Sequence, residues 1–164
     1  MEASFQQASN ITKEERYCNF LQQFASLIQD EKETISVLSN ATAALKEAFG
    51  FFWIGFYLVK NGELILGPFQ GSVACYRIKK GRGVCGTAWE EVATQVVPDV
   101  EQFKGHIACS SLSKSEIVVP VIKEGEVKGV LDIDSDELNT FDETDRVYLE
   151  KMVEMLTQTL DWRF

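Results

Sequence analysis

Apolar residues recur at helical spacing twice near the start of the chain, first as Phe20, Leu21, Phe24, Leu27 and Ile28, then as Ile35, Leu38, Ala41 and Leu45. These stripes predict two helices within about 13–49. Asn10 or Thr12 is placed to cap the first, and Phe49-Gly50 closes the second. The period then changes to two. Residues 51–59 are aromatic and branched, Lys60-Asn61-Gly62-Glu63 carries an Asn-Gly turn signal, and 63–69 return as a second strand expected to end at Gly67-Pro68. Alternation puts Ile54, Phe56 and Leu58 on a core face and Trp53, Gly55 and Tyr57 on the other. A large ring, a gap and a phenol suit a wall for a small ligand, or equally a second buried face under a helix.

Further along, 74–78 read as a short strand, 79–83 as a glycine-basic turn, 84–93 as a helix and 94–97 as a strand. Residues 99–115 lack periodicity and read as a long loop, which in a compact domain is functional or disordered. A second hairpin, 116–122 and 127–134, turns at 123–126, and its apolar runs suit strands covered on both faces. Thr140-Phe141-Asp142-Glu143 then opens a last helix at about 141–161 with capping-box character. Its stripe is Val147, Leu149, Met152, Val153, Leu156 and Leu160. The order predicts an α+β fold with an antiparallel sheet of about six strands, helices mostly on one side, and one domain over 1–164. The sheet core and loop occupy about 51–135.

The formal charge of -9 disfavours nucleic acid and anionic membrane surfaces as partners, since phosphates would be repelled. No apolar run approaches the roughly 20 residues of a membrane span, and the first residues lack the regions of a secretory signal. A cytoplasmic location is therefore expected, where cysteines are catalytic, redox-active or metal-binding more often than structural.

The candidate chemistry lies in 74–116, with Cys75, Cys85, Cys109 and the single histidine, His106. Zinc sites need closely spaced cysteine or histidine pairs, and only His106 and Cys109 come near that, so no metal is expected. A Cys109–His106 hydrolase lacks an oxyanion motif, and Gly81-Arg82-Gly83 is too short for a phosphate loop. Cys85, near a predicted helix start, is eligible for a lowered thiol pKa, although Gly86, Ala88 and Trp89 around it suggest packing. Cys18 lies in the first helix, away from the rest. Asp132 and Asp134 share one side of a strand. They are either costly buried charges that bind something, or a polar strand end in solvent. Thiol redox chemistry fits best, because it needs a nucleophilic cysteine and a second one to resolve the sulfenic acid.

The segments WIGFYLV, GPFQG-x-x-AC-x-RI, G-x-GVCGTA, F-x-GHIAC, SEIVVP and GVLDIDS resemble, in order and spacing, the free methionine-R-sulfoxide reductases, small proteins built on a GAF domain. Two positions depart from that pattern: Ser110 stands where an acidic residue is common, and Lys104 where proline often precedes the glycine.

The resemblance implies a GAF-like domain that reduces free L-methionine (R)-S-oxide to methionine, with no cofactor and with thioredoxin as reductant. It implies Cys109 as nucleophile, Cys75 as resolving cysteine in a Cys75–Cys109 disulfide, and Cys85 as a third cysteine for recycling or support. Trp53 and Tyr57 would wall the pocket around the substrate methyl group. Glu116, Asp132 and Asp134 would bind the ammonium and the sulfoxide oxygen. His106 is left to structure the loop. A homodimer is in keeping with the family, and the stereochemistry comes only from it. The alternative is a GAF module that binds a small molecule, for regulation or redox sensing, without turning it over.

Overall fold

The computed structural model describes residues 4–107 and 109–164, built around one antiparallel sheet. Helices α1 (Lys13–Ile28) and α2 (Thr34–Phe49) come first, then strands β1 (Trp53–Lys60), β2 (Glu63–Gln70) and β3 (Arg77–Lys79). Helix α3 (Gly83–Glu91), β4 (Gln95–Val97), β5 (Ser115–Lys123), β6 (Glu126–Ser135) and α4 (Glu143–Thr159) follow. The strand order is β3-β2-β1-β6-β5-β4. This is the α+β arrangement that the alternating pattern predicts.

The helix ends follow local chemistry. Thr12 accepts a hydrogen bond from the Glu15 amide, 3.1 Å, satisfying one of the free amides of the first turn of α1. Gly50 ends α2 at φ 67°, a left-handed conformation that favours glycine, and its amide donates to the Lys46 carbonyl.

The sheet has two unequal layers on it. Ile54, Phe56, Ile117 and Leu131 face α1, α2 and α4 in the larger core, against Phe20, Phe24, Leu45 and Leu156. The other face carries α3 and a smaller apolar cluster containing Trp53, Tyr57, Val84, Cys85, Val118 and Val130. Asp145, buried on α4, ties the helical layer together: Tyr17 donates to its Oδ1 at 2.6 Å, and the Lys13 ammonium donates to its Oδ2 at 2.8 Å.

Four expectations are corrected. Gly67-Pro68 do not end β2, which runs on to Gln70. Between the pairs Gly55–Phe69 and Tyr57–Leu66, β2 places Gly67 and Pro68 opposite the single residue Phe56. That bulge is where a strand admits proline. The strand expected over 74–78 is confined to Arg77–Lys79, so Cys75 lies in the loop before it. The last helix is capped by Asp142, with Asp145 completing the box, not from Thr140. The loop after β4 begins with a short 3-10 turn, Val100–Gln102, instead of being irregular throughout.

Candidate active site

Strand register assembles the site. Trp53 pairs with Asp134 and Gly55 with Asp132 across β1 and β6, and Glu116 of β5 pairs with Asp134 on its other side. Cross-strand partners share a face, so Trp53, Tyr57, Glu116, Asp132 and Asp134 all project towards α3. The gap at Gly55 is occupied by its neighbour's ring. A Cβ there would stand 2.3 Å from Trp53 Cη2 and 2.7 Å from Phe69 Cβ. The indole lies over the Gly55 backbone and stacks on Phe69, with centroids 5.4 Å apart.

The polar ends of the two wall residues hold the loop that carries Cys75. Trp53 Nε1 donates to the Ser72 carbonyl and the Tyr57 hydroxyl donates to the Cys75 carbonyl, both at 2.9 Å. The opposite rim is the loop before β5. Its base is fixed by the Val100 amide donating to Lys114, the Lys114 amide donating to Ser135, and the Ser115 hydroxyl donating to Glu137, at 2.9, 2.7 and 2.6 Å. At the tip, Cys109 is joined to Cys75 by a disulfide, S–S 2.05 Å and Cα–Cα 5.8 Å. Behind it is a cavity of about 50 Å³ bordered by Trp53, Tyr57, Cys85, His106, Glu116 and Asp132.

Glu116 and Asp132 are each only 6% exposed, and Asp134 is half-buried. The polar-strand-end reading of the aspartates is therefore excluded. Burial pushes the Glu116 carboxyl well above the usual range, and the charges of Asp132 and Asp134 push it the same way. Asp134 is raised by burial and then by Asp132. Asp132 is raised by burial too, while hydrogen bonding from Glu116 and Cys85 opposes the shift. One Asp132 oxygen, Oδ1, is buried with no hydrogen-bond partner.

Cys85 sits in the first turn of α3, free and buried. The packing reading of Cys85 holds, and the lowered pKa for which its helix position made it eligible is overturned. Burial, followed by the charges of Asp132, Glu116 and Asp134, pushes this thiol well up. Cys18 is exposed on α1, with Sγ 3.6 Å from the Tyr148 hydroxyl, outside the pocket. His106 lines the pocket with Nε2 3.8 Å from Glu116 Oε1, and burial lowers its pKa. Assigning it to loop structure understated that position. Its place in GHIAC, directly before the Cys109 turn, was the available signal. Arg82 and Ser113 also border the cavity; Arg82 was singled out only as part of Gly81-Arg82-Gly83, and no motif marked Ser113. Ser110 borders it as well, whereas Lys104 is exposed.

The six-stranded antiparallel sheet with its four helices is the GAF fold, and the GAF domain family matches residues 31–161. The chain belongs, within that class, to the free methionine-R-sulfoxide reductase family. It is 42% identical over 151 residues to the free methionine-R-sulfoxide reductase of Escherichia coli, covering 92% of both chains. It is 60% identical over 146 residues to GAF domain-containing protein A of Dictyostelium discoideum, covering 88% of this chain and 92% of that one. The structure of the free methionine-R-sulfoxide reductase of Neisseria meningitidis with its substrate superposes with a TM-score of 0.93 at 50% identity, over 97% of this chain and 95% of that one.

Proposed function

We propose that this protein reduces free methionine-R-sulfoxide to methionine by thiol chemistry, with Cys109 as nucleophile and Cys75 as resolving cysteine. The observation that carries this reading is the Cys75–Cys109 disulfide closing a pocket floored by three buried or half-buried carboxylates. The Cys109 thiolate attacks the sulfoxide sulfur while a carboxylic acid of the cluster protonates the oxygen. Sulfur is reduced to the thioether as the oxygen passes to Cys109, leaving a sulfenic acid and free methionine. The Cys75 thiol then attacks the sulfenic sulfur, water leaves, and the disulfide forms. A dithiol protein of the thioredoxin class returns both cysteines to thiols by exchange. No cofactor takes part.

The substrate class follows from charge. A free amino acid has an ammonium group that a peptide-bound residue lacks, and the members of Glu116, Asp132 and Asp134 that are ionised provide its counter-charge while a protonated one faces the oxygen. Trp53 and Tyr57 offer apolar surface to the methyl group. Thiols are counted before and after free methionine sulfoxide is added to reduced protein without recycling reductant. Loss of two thiols with formation of one methionine is expected. Cys109→Ser abolishes the loss, and Cys18→Ser leaves it unchanged. Binding of the sulfoxide with no loss of thiols overturns the reductase reading in favour of a binding module.

A further inference from the structure

We propose that Cys85, Glu116 and Asp132 form a binding site for a thiophilic divalent cation, zinc being the best fit, and that the bound ion and the sulfoxide substrate exclude one another. The exclusion rests on the reductase reading above, whereas cation binding itself does not. Cys85 Sγ, one Glu116 oxygen and one Asp132 oxygen lie within 4.8 Å of one another, and all three residues are buried. They come from the start of α3, from β5 and from β6, so no Cys-x-x-Cys or His-x-x-x-His spacing announces them. Independent of that grouping, Asp132 Oδ1 is a buried acceptor without a donor, on a side chain that borders the cavity. An uncompensated carboxylate oxygen in such a place calls for a cation or a donor from outside the chain.

The dimensions decide which ion. Tetrahedral zinc, with Zn–S of about 2.3 Å and Zn–O of about 2.1 Å, holds its ligand atoms about 3.4–3.6 Å apart. Ligand atoms within 4.8 Å of one another reach that arrangement by contracting about an ångström around the ion. Magnesium and calcium require six or more oxygens and tolerate no thiolate in place of them. A sulfur with two oxygens suits a borderline-soft ion instead. Three protein ligands leave zinc a fourth position facing the cavity, whose volume of about 50 Å³ has room for a water ligand but lies far below the several hundred Å³ of typical ligand pockets. Binding releases the Cys85 thiol proton. An ion on Glu116 and Asp132 occupies the counter-charge needed by the substrate ammonium.

The test uses the disulfide form of this chain with Cys18→Ser, in which Cys85 is the sole remaining thiol of the 164 residues. Cobalt(II) is titrated in first, followed by zinc, with no reductant and no turnover. A near-ultraviolet thiolate-to-cobalt band saturating at one ion per chain is expected, and zinc should bleach it. Cys85→Ser in the same background removes the band, and Asp132→Asn weakens zinc binding by at least about tenfold. Thermal melts verify that both variants are folded, and if Cys85→Ser fails to fold, Asp132→Asn alone decides. No band, a band that survives Cys85→Ser, or unchanged affinity in Asp132→Asn overturns the site. For the exclusion, Cys75→Ser and Cys109→Ser are added to the same background, which removes the disulfide and any turnover and keeps Cys85 as the sole thiol. There free methionine sulfoxide should lower the apparent zinc affinity, and an unchanged affinity overturns the mutual exclusion. Because the titration involves no catalysis, its failure leaves the reductase reading standing, and failure of thiol counting leaves the ion site standing.

Discussion

Glu116 and Asp134 hold their protons to higher pH in the fold than in the unfolded chain, because burial and neighbouring carboxylates disfavour the ionised form. Between the unfolded and folded pKa values the folded state therefore binds more protons. The sign follows: stability falls as pH rises out of the ordinary carboxylate range, and below that range the difference vanishes. Glu116→Gln should accordingly melt at a higher temperature than the parent at pH about 7 and at nearly the same temperature at pH about 3.5. The same change should weaken substrate binding, a site held at a cost to stability. Thermal unfolding of the disulfide form at both pH values checks this, and equal melting at neutral pH contradicts the account. At this scale the sequence was partly legible. The two-residue spacing of Asp132 and Asp134 put them on one face, but their burial depends on α3, which no local pattern reveals. At Cys85 the packing that Gly86, Ala88 and Trp89 suggest holds, but the direction of the thiol's shift was not legible. Its helix position is visible in the sequence, whereas the carboxylates that outweigh it come from two distant strands.

Among the elements, β1 shows how a missing side chain shapes the site. Gly55 lets the Trp53 indole lie flat over the strand, and an added Cβ would overlap two ring atoms at 2.3 and 2.7 Å. The ring has Phe69 stacked against it, so it cannot simply lift away. Gly55→Ala is expected to force the indole towards the cavity, raising KM for the sulfoxide several-fold more than it lowers kcat. Steady-state kinetics of this variant, with near-ultraviolet circular dichroism to follow the tryptophan, is the measurement. An unchanged KM would mean that the ring does not border bound substrate. The alternating face of β1 and the stripes of α1 and α2 were plain in the sequence, since each depends only on its own period. The passage of β2 through Gly67-Pro68 was not, because the bulge depends on Phe56 across the ladder.

On the whole molecule, large exposed apolar side chains gather beside the disulfide. Val73 and Tyr76, 87% and 81% exposed, flank Cys75 in sequence, and Leu112, 62% exposed, follows Cys109 by three residues. On the proposed mechanism a protein reductant has to reach this disulfide, and apolar contact around it lowers the free energy of that encounter complex. Tyr76→Ser combined with Val73→Ser should slow recycling by thioredoxin several-fold while leaving reduction by dithiothreitol unchanged. Parallel rates with the two reductants test this, and an equal effect on both would locate the change in the disulfide itself. The strand order has a further consequence, for synthesis. In β3-β2-β1-β6-β5-β4, the first strand made lies between the second and the last. While the chain is leaving the ribosome, β1 has one partner and an open edge until residues 126–135 appear, so the sheet cannot close before β6 is made. The nascent chain thus carries an exposed central edge throughout the synthesis of β3, α3, β4 and β5, an interval open to off-pathway strand pairing.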